Sequence, residues 1–280
     1  MHEQAFAIKE KHYGPDHIEI AKTLDQLGRD YRILVDAKQA IKAHERSLAI
    51  KQNHYKKDNI EVALTLDQLG RDYCMLRDFK YAKELHKRSL LIKEAYYGDN
   101  HTQVATTLDY LGRDYVAMGD FVKARELLER AVTIKEKHYN QNHVEVAITN
   151  DHLARAYRGL GYIEQAVKLH EYSVKVKENH YGRDHIEVAN TIERLGRDYL
   201  LLGKCREAKN IHERVLAIKR AHWGAAHIEV AFTLEQLARD CACLKDAKKA
   251  KAFEAKAITI RDNFKLSAKG ADELNIWGEN

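Results

Sequence analysis

The chain has 280 residues, 45% of them hydrophobic and 32% charged, with one proline and a net charge of +5. That is enough for one or two domains with a buried core, and it excludes a proline-rich or disordered chain. No run of about 18 apolar residues offers a membrane span, and a charge excess this small is weak ground for nucleic acid.

In chain order, residues 1–13 read as the latter half of a helix. Residues 1–12 align with 43–54: His2-Glu3 with His44-Glu45, Ile8-Lys9 with Ile50-Lys51, His12-Tyr13 with His54-Tyr55. The chain is therefore expected to begin inside the second element of a repeat, as a fragment of a larger parent. Met1-His2-Glu3-Gln4 lacks the basic-then-apolar order of a secretion signal. From residue 14 the repeat is explicit. Leu27-Gly28-Arg29-Asp30-Tyr31 returns at 69–73, 111–115 and 195–199, with looser copies at 153–157 and 237–241. Tyr31 to Tyr73 is 42 residues, and six copies keep that period without an insertion to residue 264.

Each copy reads as two helices. The first spans about Ile18 to Leu34, with Ile20, Leu24, Leu27 and Tyr31 on one stripe. Capping boxes are expected at Asp16/Glu19, Asp58/Glu61, Asn142/Glu145 and Asp184/Glu187, and Ala226 predicts fraying of the sixth first helix. Gly119, Gly161 and Gly203 end first helices, and the second helix begins near Asp36, Asp78, Asp120 and Asp246. Gly28 and its counterparts allow close helix approach. Residues 265–280 fall outside the repeat.

Leu24, Leu27, Gly28, Tyr31 and Ala40 resemble the tetratricopeptide repeat signature. The 42-residue period and the segment Asp16–Leu24 resemble the longer repeats of kinesin light chains. The resemblance implies an all-α, right-handed α-solenoid over residues 1–264, made of a half repeat (1–13) and six repeats (14–264), with 265–280 as a tail or cap. It also implies a concave groove that binds extended peptides. The sequence carries no Gly-rich phosphate loop, nucleophile elbow or HExxH motif, so neither an enzyme nor a cofactor is expected.

At about 100° per residue, positions 20, 24, 27, 28 and 31 share the packing side, and 22, 25, 26, 29 and 33 lie roughly opposite. In the resembled family that opposite face lines the groove. Column 29 is arginine in all six copies (Arg29, Arg71, Arg113, Arg155, Arg197, Arg239), and column 25 is acidic (Asp25, Asp67, Asp109, Asp151, Glu193, Glu235). Kinesin light chains typically carry asparagine at the latter, so the carboxylate is a departure. Two readings stay open. The arginines and acids form an intramolecular i, i+4 ladder that also reaches the neighbouring repeat, or the arginines face a ligand carboxylate or phosphate. Variable column 26 adds Gln68, Tyr110, His152 and Arg194, and column 22 adds Ile148. The expected peptide-binding set is Asp67, Gln68, Arg71, Asp109, Tyr110, Arg113, Ile148, Asp151, His152, Arg155, Glu193, Arg194 and Arg197, with specificity in repeats three to five.

Other columns carry blander expectations. His12, His54, His138, His180 and His222 form one column, and His17, His101, His143, His185 and His227 another. Both read as structural residues at helix ends rather than metal ligands. Tyr13, Tyr55, Tyr97, Tyr139, Tyr181 and Trp223 read as packing over the joint. Lys9, Lys51, Lys93, Lys135, Lys177, Lys219 and Arg261 read as complements to helix C-termini, with a basic stripe for nucleic acid or anionic membrane as the alternative. Cys74, Cys205, Cys241 and Cys243 form no CxxC pair and read as free thiols of a cytoplasmic protein, Cys241 being buried and inert. In the tail, Asp272–Glu279 faintly resembles the Trp-plus-acid peptides of kinesin light chains, and a cap or disorder is the plainer reading. The sequence thus points to a scaffold that binds a protein or peptide segment. A structural or self-associating spacer of a multidomain protein is the alternative. Nucleic acid and membrane are not expected partners.

Overall fold

The computed structural model describes residues 2–55 and 58–266. Among these every regular element is an α-helix. The leading helix α1 (His2–Tyr13) precedes six pairs: α2 (Ile18–Ile33) and α3 (Ala37–Tyr55), α4 (Ile60–Met75) and α5 (Phe79–Tyr97), α6 (Thr102–Ala117) and α7 (Phe121–Tyr139), α8 (Val144–Gly159) and α9 (Ile163–Tyr181), α10 (Ile186–Leu201) and α11 (Cys205–Trp223), α12 (Ile228–Cys243) and α13 (Ala247–Leu266). The expected tail beyond residue 266, including Asp272–Glu279, lies outside the described residues.

The first helices start one residue later than the capping boxes predict. His17 lies in the extended region (φ −76°, ψ 146°), and its Nδ1 accepts from the Glu19 N–H at 3.2 Å. His101, His143, His185 and His227 do the same, and Asn59 Oδ1 takes the role ahead of α4 at 2.8 Å. The residue half inside the helix is the cap, so column 17 replaces column 16. The frayed start predicted from Ala226 is corrected for the same reason, since His227 caps α12 like its counterparts. The aromatic column packs on these caps: Tyr97 stacks on His101 at 4.2 Å, Tyr139 on His143 at 4.4 Å and Trp223 on His227 at 5.0 Å.

Second helices begin where expected. Oδ1 of Asp36, Asp78, Asp120 and Asp246 accepts from the N–H three residues on at 3.1–3.2 Å. The turn before each takes a left-handed residue. Gly119, Gly161 and Gly203 supply it (φ 80°, 83°, 73°), but Val35, Arg77 and Lys245 adopt it with side chains (φ 62°, 61°, 61°). That conformation costs a non-glycine residue about 1–2 kcal/mol.

The chain divides into two units, residues 1–134 and 135–280. In the first, Val62, Ala63, Leu66 and Leu69 of α4 meet Ile41 of α3 and Leu85 and Ile92 of α5. In the second, Val188, Ala189 and Ile192 of α10 meet Val215 and Ile218 of α11, and Ile228, Leu234 and Leu237 of α12 meet Leu216 and Ala257. Burying each such aliphatic side chain contributes about 1.5–3 kcal/mol.

The expectation of four free thiols is corrected at one pair. Cys205, at the start of α11, is disulfide-bonded to Cys243, at the end of α12, with Cα atoms 5.9 Å apart. The two residues are 38 apart in sequence, so no local motif reveals them. Cys241 is free and buried, and Cys74 is half-buried with its thiol donating to Asp114 Oδ1 at 3.0 Å. No described helix is long and apolar enough to cross a membrane.

Candidate functional site

Beneath the outer faces of the first helices lie two buried polar nodes that recur with the repeat. In the first node a lysine from a second helix is clamped between two first helices. Lys51 Nζ donates to Asp25 Oδ2 of its own repeat at 2.6 Å, and to Thr65 Oγ1 and Glu61 Oε2 of the next at 3.0 and 3.2 Å. Lys93 repeats this with Asp67 at 2.6 Å and Thr107 at 3.0 Å. In the second unit Lys177 takes Asp151 and Thr191, and Lys219 takes Glu193 and Glu229. Lys51, Lys93, Lys177 and Lys219 are therefore neither a surface stripe nor exposed complements of helix ends. Lys51, Lys93, Lys177 and Lys219 are among the largest fully buried side chains. Burying an ammonium is tolerable only because each is paired and hydrogen-bonded on several sides.

The second node was not anticipated from the sequence. His44 Nδ1 bonds Asp72 Oδ2, while its Nε2 lies 3.3 Å from the Asp25 carbonyl oxygen. His86 bonds Asp114 at 2.6 Å, His170 bonds Asp198 at 2.5 Å and His212 bonds Asp240 at 2.6 Å. These rings explain the repeat glycine, because a Cβ at Gly28, Gly70 or Gly196 would overlap His44, His86 or His212. At Ala154 a methyl is present, and His170 differs accordingly, with its Nε2 3.2 Å from the Asp151 Oδ1 side-chain oxygen. A usable signal existed: glycine precedes histidine by sixteen residues three times, and where histidine becomes Leu128, the aspartate column reads Ala156.

The remaining carboxylate oxygen of the aspartate is served by column 32. Arg32 reaches Asp72 at 3.0 Å and Arg158 reaches Asp198 at 3.0 Å. Leu200 occupies this position beneath Asp240, whose Oδ1 is buried without a hydrogen-bond partner.

Above the nodes stands the outer row. Arg29, Arg113 and Arg239 are exposed; Arg71, Arg155 and Arg197 are half-buried, as are Gln68, Tyr110, Ile148, His152 and Arg194. Arg71 lies over the Tyr110 ring at 5.2 Å. Arg194 reaches down to Asp151 Oδ2 at 2.6 Å, and Arg197 lies 3.7 Å from Glu193. Burial pulls the Arg197 pKa down, Glu193 opposes it, and Arg158, Arg194 and Arg239 add to the lowering. Burial would raise the Asp151 carboxyl, but Arg194, Lys177 and His170 outweigh it and hold the group well below the usual range. Glu193 is lowered in the same manner, by Lys219 and then Arg197 against burial.

A family profile described as tetratricopeptide repeat matches residues 1–53, 61–137 and 145–221. The chain belongs to the tetratricopeptide repeat family. Among solved structures, a candidate kinesin light chain of Podosopora anserina with nearly identical TPR-like repeats is 25% identical, covering 73% of this chain and 96% of that one (TM-score 0.62). BtubC from P. vanneervenii is 22% identical over 82% of this chain and 93% of that one (TM-score 0.68). The apo form of RapI shares the fold at 14% identity, covering 94% and 92% (TM-score 0.69). No curated protein matches the chain. Members of the tetratricopeptide repeat family are in general non-enzymatic scaffolds for protein–protein interaction.

Within this tetratricopeptide repeat chain the expected binding residues separate by depth. Asp67, Asp109, Asp151 and Glu193 are buried, at 3%, 4%, 1% and 7% exposure. Their place on the outer surface is corrected: Asp67, Asp151 and Glu193 are drawn inward by buried lysines. Lysine pairs with Asp67, Asp151 and Glu193, while between columns 25 and 29 Arg197 lies 3.7 Å from Glu193. Gln68, Arg71, Tyr110 and Arg113 belong to the first unit, where Arg71 lies over Tyr110, and Ile148, His152, Arg155, Arg194 and Arg197 belong to the second.

Proposed function

We propose that the protein binds a peptide segment of a partner along the outer row of its first helices, the concave groove expected for such repeats. In the first unit the contact residues are Gln68, Arg71, Tyr110 and Arg113, with Asp67 and Asp109 beneath. In the second they are Ile148, His152, Arg155, Arg194 and Arg197, with Asp151 and Glu193 beneath.

The observation that carries this reading is the pairing beneath Arg194 and Arg197. Their acids, Asp151 and Glu193, already hold Lys177 and Lys219. Each carboxylate thus faces more than one cation, and the two guanidinium side chains stay partly exposed, at 29% and 40%. A guanidinium held from below is preorganised to bind a carboxylate in bidentate fashion. The occupant favoured in the second unit is an acidic segment.

Affinity capture from a lysate of the source cells tests the reading, with the Arg194→Glu/Arg197→Glu double variant beside the parent. A partner lost with the variant, at an unchanged unfolding midpoint, supports it. Recovery of the same partners by both proteins overturns it.

A further inference from the structure

Column 32 carries arginine twice, at Arg32 in the first unit and at Arg158 in the second. The two are not equally served. Arg32 donates from Nη1 to Asp72 Oδ1 at 3.0 Å and to the Gln68 carbonyl oxygen at 3.3 Å, and from Nη2 to Gln68 Oε1 at 2.5 Å. Arg71 Nη1 donates to the same amide oxygen at 3.5 Å. One neutral acceptor on column 26 thus sits between two guanidiniums. In the second unit Arg158 keeps the aspartate contact, at 3.0 Å to Asp198, but column 26 is Arg194. Where the first unit has an acceptor, the second has a third cation, and among the described residues no neutral acceptor beside Arg158 takes the place of Gln68 Oε1. The carboxylates beneath are already shared: Asp198 with His170, Asp151 with Lys177 and His170, and Glu193 with Lys219. Arg194 reaches Asp151 with one nitrogen at 2.6 Å. Arg197 lies 3.7 Å from Glu193, beyond hydrogen-bond distance, and its Nε is buried without a partner. The crowding registers at Arg197, whose pKa is lowered most by burial, raised by Glu193, and lowered further by Arg158 and Arg194.

Resting on the reading given to the outer row, we propose that Arg158, Arg194 and Arg197 form a site for a phosphoryl group carried by the bound segment. Its oxygens stand in the second unit where Gln68 Oε1 stands in the first, between the column 32 and column 29 guanidiniums. Charge and donor count select this occupant. A guanidinium has five N–H donors, and one guanidinium alone can engage both oxygens of a carboxylate. A phosphoryl group brings three acceptor oxygens and a charge of about −1.5 to −2, which suits three cations whose own carboxylates are shared. Arg158 lies outside the columns read as facing the groove, so the site reaches deeper than the outer row. The first unit, with Gln68 in place of the third cation, has no such site.

The probe is a short glycine–alanine peptide with one central phosphoserine, its phosphorus resonance followed as the full chain is added at constant ionic strength. The expected result is saturable binding that Arg158→Gln and Arg194→Gln each weaken about tenfold or more, while Lys248→Gln, an equal charge loss on the exposed surface of α13, leaves it unchanged. Arg194→Gln installs the amide that the first unit already accommodates, so the fold has a precedent for it. The same peptide with glutamate in place of phosphoserine should displace the probe about tenfold less effectively. Three results overturn the proposal: binding that all three variants leave alike, equal displacement by the glutamate peptide, or binding of inorganic phosphate without binding of the phosphopeptide. The titration needs no natural partner, so the two readings fail separately. Partner capture lost with Arg194→Glu/Arg197→Glu, but no phosphopeptide binding, overturns the phosphoryl site alone. Phosphopeptide binding that depends on Arg158, with capture unchanged by the double variant, overturns the groove reading alone.

Discussion

The buried seam beneath the first helices and the outer row above it share one period but obey different rules. In the seam, Lys51, Lys93, Lys177 and Lys219 each find a carboxylate, and His44, His86, His170 and His212 each find an aspartate. In the outer row, column 26 runs through Gln68, Tyr110, His152 and Arg194 with no common partner. Uniformity alone does not separate the two, since column 29 is arginine in all six copies and yet exposed at Arg29, Arg113 and Arg239; what sets the seam apart is that each buried charge has a fixed partner. A charge buried at every joint must be matched at every joint, whereas a surface residue is free to vary.

Removing one carboxylate of the seam should separate it most strongly from the outer row. Asp67→Ala leaves Lys93 buried with Thr107 and no counter-charge, and should cost about 3–5 kcal/mol in denaturant unfolding. Arg113→Ala in the outer row should stay within about 0.5 kcal/mol. Equal losses would erase the distinction between seam and surface. Next in size is the glycine contact. Gly70→Ala drives a methyl into the His86 ring and should cost about 1–3 kcal/mol. The reverse change, Ala154→Gly, frees no comparable overlap and should cost at most about 1 kcal/mol through helix propensity.

The pH dependence should follow the seam as well. Asp151 and Glu193 are held below their ordinary pKa by the surrounding cations. Their stabilisation is therefore complete above the unfolded carboxylate range and is lost as pH falls through the lower folded values. Unfolding midpoints from pH 7 down to pH 2 should drop less for Glu193→Gln than for the parent, from a lower start. Parallel curves would remove Glu193 from the account.

The fold was legible because it rests on periodicity. The 42-residue spacing, the stripe of Ile20, Leu24 and Leu27, and the aspartates that open the second helices all appear in the helices as read. The site was legible only in part, because depth is not written in a helical wheel. Placing column 25 opposite the packing stripe ignored the second helix of the same repeat, whose lysine reaches past the stripe and draws the acid inward. Column 51 looked like a helix-end cation for the same reason. The Gly28–His44 contact spans sixteen residues and two helices, and neither residue alone signals it. Cys205 and Cys243 meet only because successive repeats stack.

The smallest expected effect tests whether the seam's variable edge follows the seam's rule. Asp72 and Asp198 each satisfy a second oxygen through Arg32 and Arg158, but Asp240 has Leu200 at that position and an unpartnered Oδ1. Leu200 is half-buried on α10, where an arginine stem can lie along the helix with its guanidinium over Asp240. Leu200→Arg should therefore stabilise the protein by about 1 kcal/mol, the lower end for a hydrogen bond to a charged group once the lost leucine packing is deducted. Combining it with Asp240→Asn should reduce the gain, since the introduced cation then meets a neutral amide. A gain that survives Asp240→Asn unchanged would show that the arginine acts elsewhere on the surface, and that column 32 belongs with the outer row rather than with the seam.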